Sequence, residues 1–72
     1  MQVTIHCFKM TSRYVSYRVY GTIWIGADMF TGPTREFTTK KAADEVVALM
    51  QDSYRVAGAT VALDEHDYTT DI

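Results

Sequence analysis

The chain has 72 residues, 47% of them hydrophobic, and a formal net charge of −2, values that exclude a disordered polyacid and more than one domain. A domain of this size buries only about 60% of the surface its unfolded chain exposes, so a deep pocket with a positioned catalytic constellation is not expected and binding is the favoured function class. Cys7 has no second cysteine to pair with, which excludes an internal disulfide and points to a reducing compartment.

The charge is unevenly spread. Residues 1–41 hold Lys9, Arg13, Arg18, Arg35, Lys40 and Lys41 against Asp28 and Glu36, whereas residues 42–72 hold Arg55 alone against Asp44, Glu45, Asp52, Asp64, Glu65, Asp67 and Asp71. A dipole of this kind acts on partners and association rates rather than on fold. No apolar run approaches the ~18 residues of a membrane span, and the first residues lack the basic, apolar and small-residue regions of a secretory signal. No membrane partner is therefore expected, and the cytoplasm is the expected compartment.

Residues 2–9 alternate Val3, Ile5 and Cys7 against Gln2, Thr4, His6 and Phe8, the period of a half-buried strand. Thr11, Ser12 and Arg13 read as a reversal. Residues 14–26 alternate again, with Val15, Tyr17, Val19, Ile23 and Ile25 set against Tyr14, Ser16, Arg18, Tyr20, Thr22 and Trp24. This is a long strand, with a bend or bulge expected at Gly21, where the missing side chain weakens pairing. Residues 27–33 contain Gly32-Pro33 and break both periods, so a loop is expected whose tip carries Met29 and Phe30. Arg35 to Thr38 then forms a short third strand.

From Lys40 onward the apolar positions fall at Ala43, Val46, Val47, Met50, Tyr54 and Ala57, a stripe at helical period. Thr38 or Thr39 is the expected N-cap and Gly58 the stop. Lys40 and Lys41 in the first turn oppose the helix dipole, which either a partner anion or simple exposure accommodates. After Gly58, residues 59–64 place Val61 and Leu63 on one face of a fourth strand, and the acidic remainder continues that strand or frays from Tyr68. The expectation is a single α+β domain over residues 1–72, ordered β-β-β-α-β, with a mostly antiparallel sheet packed on one amphipathic helix.

One helix covers one sheet face, the one formed by Val3, Ile5, Val15, Tyr17, Val19, Ile23, Ile25, Val61 and Leu63. The other face is left with Phe8, Tyr14, Tyr20 and Trp24 beside His6 and Arg18, where a polar surface would be ordinary. Three readings follow. Tyr14, Arg18, Tyr20 and Trp24 suit a protein interface, where Tyr, Trp and Arg are enriched as anchors. They also suit a sheet that stacks bases and neutralises phosphates, although the acidic net charge opposes phosphate binding. In the third reading the C-terminal segment, with Tyr68 and Ile72, or a bent sheet simply covers them.

Signals for chemistry are sparse. His6, Cys7 and His66 are the only histidines and cysteine and stand in no C-x-x-C or H-x-x-x-H spacing, so neither a metal nor a cofactor is expected. Gly21, Gly26, Gly32 and Gly58 form no phosphate loop. A Cys7–His66 nucleophile pair needs the last strand beside the first. Asp44-Glu45 and Asp64-Glu65-His66-Asp67 read as solvated acidic surface rather than as carboxyls converging on a cleft. An enzyme is not expected.

The stretch TREFTTKKAADEVVALM resembles the end of the three-stranded-sheet-plus-helix DNA-binding domains of plant APETALA-type factors and phage integrase arms. That resemblance implies a sheet entering the major groove, with Arg13, Arg18, Trp24 and Arg35 as the matching side chains. The chain as a whole is similar in type to small accessory proteins of phages and mobile elements, of which anti-CRISPR proteins are one group. This second resemblance implies inhibition by occupying a surface on a larger machine that grips nucleic acid.

The favoured expectation is a non-enzymatic protein-binding module that inhibits a larger protein or ribonucleoprotein complex. Tyr14, Arg18, Tyr20, Trp24, Met29 and Phe30 are its expected anchors. Asp64, Glu65, Asp67, Asp71 and the terminal carboxylate would present spaced negative charge to an Arg/Lys-lined channel. The alternatives are a nucleic-acid-binding sheet using Arg13, Arg18, Tyr20 and Trp24, and a homodimer that hides its aromatic face against its own copy.

Overall fold

The two alternating N-terminal segments form long antiparallel strands, β1 (Gln2–Thr11) and β2 (Val15–Ile25), in a computed structural model that describes residues 1–69. Their register runs unbroken from Gln2 opposite Trp24 to Thr11 opposite Val15. Gly21 therefore sits in regular pairing with Ile5, and the bulge expected there is absent. Its bare Cα serves the helix instead: a Cβ at this position would stand 3.3 Å from Met50 Cε and 3.7 Å from Tyr54 Oη.

The expected loop over residues 27–33 is largely a strand, β3 (Asp28–Thr31), which pairs with β2 from Ile25 opposite Asp28 to Thr22 opposite Thr31. Gly26 at φ +63 is followed by Ala27 without positive φ, the requirement of a two-residue type II′ hairpin turn. The chain then continues along the same edge of β2 as β4 (Arg35–Phe37), with Arg35 opposite Val19 and Phe37 opposite Tyr17. Between the two segments, residues 32–34 face only Tyr20 and Gly21, so the bulge lies in this edge segment. It contains Pro33, which has no ladder hydrogen to donate. Side-chain parity flips across it, and Phe37 thereby joins the core on the same side as Ile23.

Helix α1 (Lys40–Val56) is capped by Thr39, whose Oγ1 accepts from the Ala42 N–H at 3.2 Å. Lys40 Nζ donates to Asp44 Oδ2 at 2.7 Å, an i,i+4 pair that offsets the unfavourable charge at the helix start. The same hydrogen bond holds the Lys40 ammonium above its ordinary pKa. The helix stops where Gly58 takes φ +87, and Ala59 N–H donates to the Tyr54 carbonyl at 3.0 Å.

Strand β5 (Thr60–Thr69) then lies parallel to β1 on its free side, from Gln2 beside Thr60 to Thr11 beside Thr69. The acidic segment is thus strand through Thr69, and Tyr68 does not fray; Asp71, Ile72 and the terminal carboxylate lie outside the described residues. The sheet order is β3-β2-β1-β5 with β4 also beside β2. The fold is α+β and mostly antiparallel as expected, but ordered β-β-β-β-α-β. Its core is Val3, Ile5, Cys7 and Val19 under Ala43 and Val47. The long strands outrun the helix, leaving Val15 and Ile25 exposed at the two ends of β2 although they are on the helix side.

Candidate functional site

The helix-free face carries a continuous cluster of rings across the three long strands. Cross-strand pairing sets Tyr20 beside His6 and His66 beside Phe8. The His6 and Tyr20 rings stack at 4.5 Å between centroids, and Phe8 stands edge-on to His6, Tyr20, His66 and Tyr68 at 5.5–5.7 Å. His66 in turn stacks on Tyr68. Such aromatic pairs contribute about 0.5–1.5 kcal/mol beyond area burial, which fixes the rings as a platform rather than as loose surface groups.

Asp64 ties this platform together. Its Oδ2 accepts from Nδ1–H of His6 at 2.8 Å, and its Oδ1 accepts from Nε2–H of His66 at 3.0 Å. With Nδ1 carrying the proton, Nε2 of His6 accepts from the Thr22 hydroxyl at 3.1 Å. Hydroxyl, imidazole and carboxylate thus follow in the order of a nucleophilic triad. The surroundings do not complete one: Thr22 is 9% exposed, and its backbone is paired on both sides, with Thr4 and Thr31, so its amide is not available to an oxyanion. The chain of hydrogen bonds instead satisfies the polar groups beneath the rings.

Five of the nine anticipated contact residues share this face: Arg18, Tyr20, Trp24, Met29 and Asp64. Trp24 and Met29 are cross-strand neighbours near the β2–β3 turn, 43% and 54% exposed. Phe30 pairs with Ile23 and so projects to the helix side. Tyr14 lies in the β1–β2 turn, where its carbonyl accepts from the Ser12 N–H at 3.2 Å. Glu65 and Asp67 alternate with Asp64 and fall on the opposite side of β5, so the three acids form no single anionic face.

His66 was not anticipated as part of the site, and Tyr68 was expected at this face only as a cover; it stands instead within the sheet, edge-on to Phe8. The signal was present in the alternation of Asp64, His66 and Tyr68, but it acquires meaning only once β5 is beside β1. That placement does put Cys7 near His66 in the ladder, yet Cys7 pairs with Glu65 and points under the helix while His66 packs on Phe8. Burial, followed by the nearby carboxylates of Glu65 and Asp44, pushes the Cys7 thiol up from its ordinary 9.0, the opposite of what an activated nucleophile needs.

Among the described residues no group of three or more His, Cys, Asp and Glu is placed to hold a metal ion, and no helix is long and apolar enough to cross a membrane. The class that fold and site define is an α+β sheet with one covered and one bare aromatic face. Set against family models, curated proteins and solved structures, the chain matches none of them.

Proposed function

We propose that this protein is a non-enzymatic binding module that docks another protein on its helix-free face and inhibits it by occupancy. The observation that carries the reading is the bare cluster of His6, Phe8, Tyr20, His66 and Tyr68, extended by exposed Trp24 and Met29. Rigid rings of this kind lose little entropy on binding and are the usual anchors of interfaces.

The charge on the face favours a protein over a nucleic acid. Arg18 is the cation among these described strand residues, and it stands 3.8 Å from Glu36. The carboxylate of Asp64 is engaged by two imidazoles. A surface that tracks a phosphate backbone needs several free Lys or Arg side chains. The proposed target is a complex that itself grips nucleic acid in the host cytoplasm, met through the rings of this face rather than through acidic side chains, in the mode of an anti-CRISPR-type inhibitor.

The test is capture from nuclease-treated host lysate by the wild type and by a Tyr20→Ala, Trp24→Ala variant of unchanged circular dichroism, with native mass measured by light scattering. One defined protein complex recovered by the wild type alone is the expected result. Nucleic acid that co-purifies before nuclease treatment, with nothing retained after it, would overturn the reading in favour of a nucleic-acid-binding sheet. A wild-type dimer that the double variant dissolves would show that the face covers its own copy.

A further inference from the structure

Strand β5 is an edge. Its inner side pairs with β1 from Thr60 to Thr69, and among the described residues no strand pairs with its outer side. An unpaired edge ten residues long presents a row of backbone donors and acceptors to any extended chain that meets it. Its only charged side chains are Asp64, Glu65 and Asp67, with no Lys or Arg between Thr60 and Thr69.

The three carboxylates are not equivalent. Asp64 is engaged by His6 and His66, and Asp44 nearby is engaged by Lys40. Glu65 and Asp67 form no ion pair among the described residues; even Lys9, in register with Asp67 on β1, stays beyond ion-pairing distance. Both point to the helix side, two residues apart, and help line a concavity of about 320 Å³ with Cys7, Lys9, Tyr17 and Lys40. Leu63, two residues before Glu65 on the same side, is 43% exposed.

We propose that the β5 edge binds an extended segment of the partner by strand addition, and that this segment carries Lys or Arg at two alternate positions facing Glu65 and Asp67, with an apolar residue two positions beyond them against Leu63. The inference rests on the protein-binding reading and names the chemistry of the partner. Side chains on one face of an added strand recur every second residue, so the spacing of Glu65 and Asp67 is the spacing the partner must match. Backbone hydrogen bonds supply affinity in this mode, and alternate side chains supply specificity. A second copy paired in the central registers, which overlap most of the strand, is disfavoured as the occupant. Antiparallel self-pairing centred anywhere between Asp64 and His66 sets at least one carboxylate directly opposite another, which repels.

The experiment titrates the isotope-labelled, full-length protein with two blocked peptides, Lys-Thr-Lys-Thr-Val-Thr-Val and Val-Thr-Val-Thr-Lys-Thr-Lys, to allow either strand direction. Each is compared with its Glu-for-Lys counterpart while amide shifts are read. Expected are shifts concentrated on Thr60–Thr69 with at least one Lys peptide and none with the Glu peptides. Binding should weaken about tenfold or more in a Glu65→Lys, Asp67→Lys variant and survive in the Tyr20→Ala, Trp24→Ala variant. Absent β5 shifts with both Lys peptides, equal shifts with the Glu peptides, or dimers whose β5 amides are protected would overturn the proposal. If capture from lysate persists while the peptides fail, only the edge inference falls; if the peptides bind while capture fails, only the aromatic-face reading falls.

Discussion

His6 and Asp64 are 58 residues apart in the chain and joined by a 2.8 Å hydrogen bond, because parallel pairing of β5 on β1 places them directly beside one another. The bond orients the imidazole on which Tyr20 stacks, so the first strand, the second and the last are locked at one point. Replacing Asp64 with Ala leaves Nδ1 of His6 without its acceptor in a part-buried site. The expected loss is about 1–2 kcal/mol in urea unfolding, against a change within about 0.5 kcal/mol for Asp67→Ala on the other side of the same strand.

Gly21 gives a test of how closely helix and sheet approach. A methyl group there meets Met50 Cε at 3.3 Å, the free end of a flexible side chain, while Ala relieves the entropic cost of Gly in a strand. Gly21→Ala should therefore leave stability within about 1 kcal/mol of the wild type. Gly21→Val adds branches that Met50 and Tyr54 cannot both avoid, and should lower stability by about 1–3 kcal/mol. Thermal unfolding of the two variants side by side checks this.

The helix start is held by one side chain. Thr39 Oγ1 accepts from the Ala42 N–H, and Thr39→Ala should cost about 1 kcal/mol. Thr38→Ala should change little, which separates a cap from a general effect on the β4–α1 connection. Chemical denaturation measures both.

Cys7 should resist alkylation. Its thiol is pushed above 9.0 by burial first and by the Glu65 and Asp44 carboxylates next, so at pH 8 the folded protein holds less thiolate than the unfolded chain. Iodoacetamide should label the native protein far more slowly than the urea-unfolded one. The sign of the linkage follows from the same shift. The contribution is fully present below the unfolded value, and it is lost as rising pH first ionises the thiol of the unfolded chain and then passes the folded value. Stability of the wild type should consequently fall more steeply above about pH 9 than that of Cys7→Ala.

Alternation alone assigns each residue of β1 and β2 to a face. Val3, Ile5, Cys7 and Val19 are buried under the helix, while His6, Phe8, Tyr20 and Trp24 are on the bare side. The helical period and a threonine before it likewise place α1 and its cap. These features are legible because pleat and helix repeat over a few neighbouring residues. The β2–β3 hairpin also has a local signal: Gly26-Ala27 between Ile25 and Asp28 is the two-residue gap of a hairpin, masked by the Gly32-Pro33 pair that gives residues 27–33 the look of a loop.

Strand neighbours are another matter. Nothing in the acidic segment says that it pairs with β1 rather than with the outer edge of β3 and β4, since both are open to a strand of its pattern. The helical crossover and the burial of Val61 beside Val3 settle that choice. Only then do Asp64, His66 and Tyr68 meet His6 and Phe8, and only then do Glu65 and Asp67 come to stand on an edge that is unpaired among the described residues. Facing is a property of the local backbone, whereas adjacency across a sheet is decided by which hydrophobic surfaces the whole chain buries together.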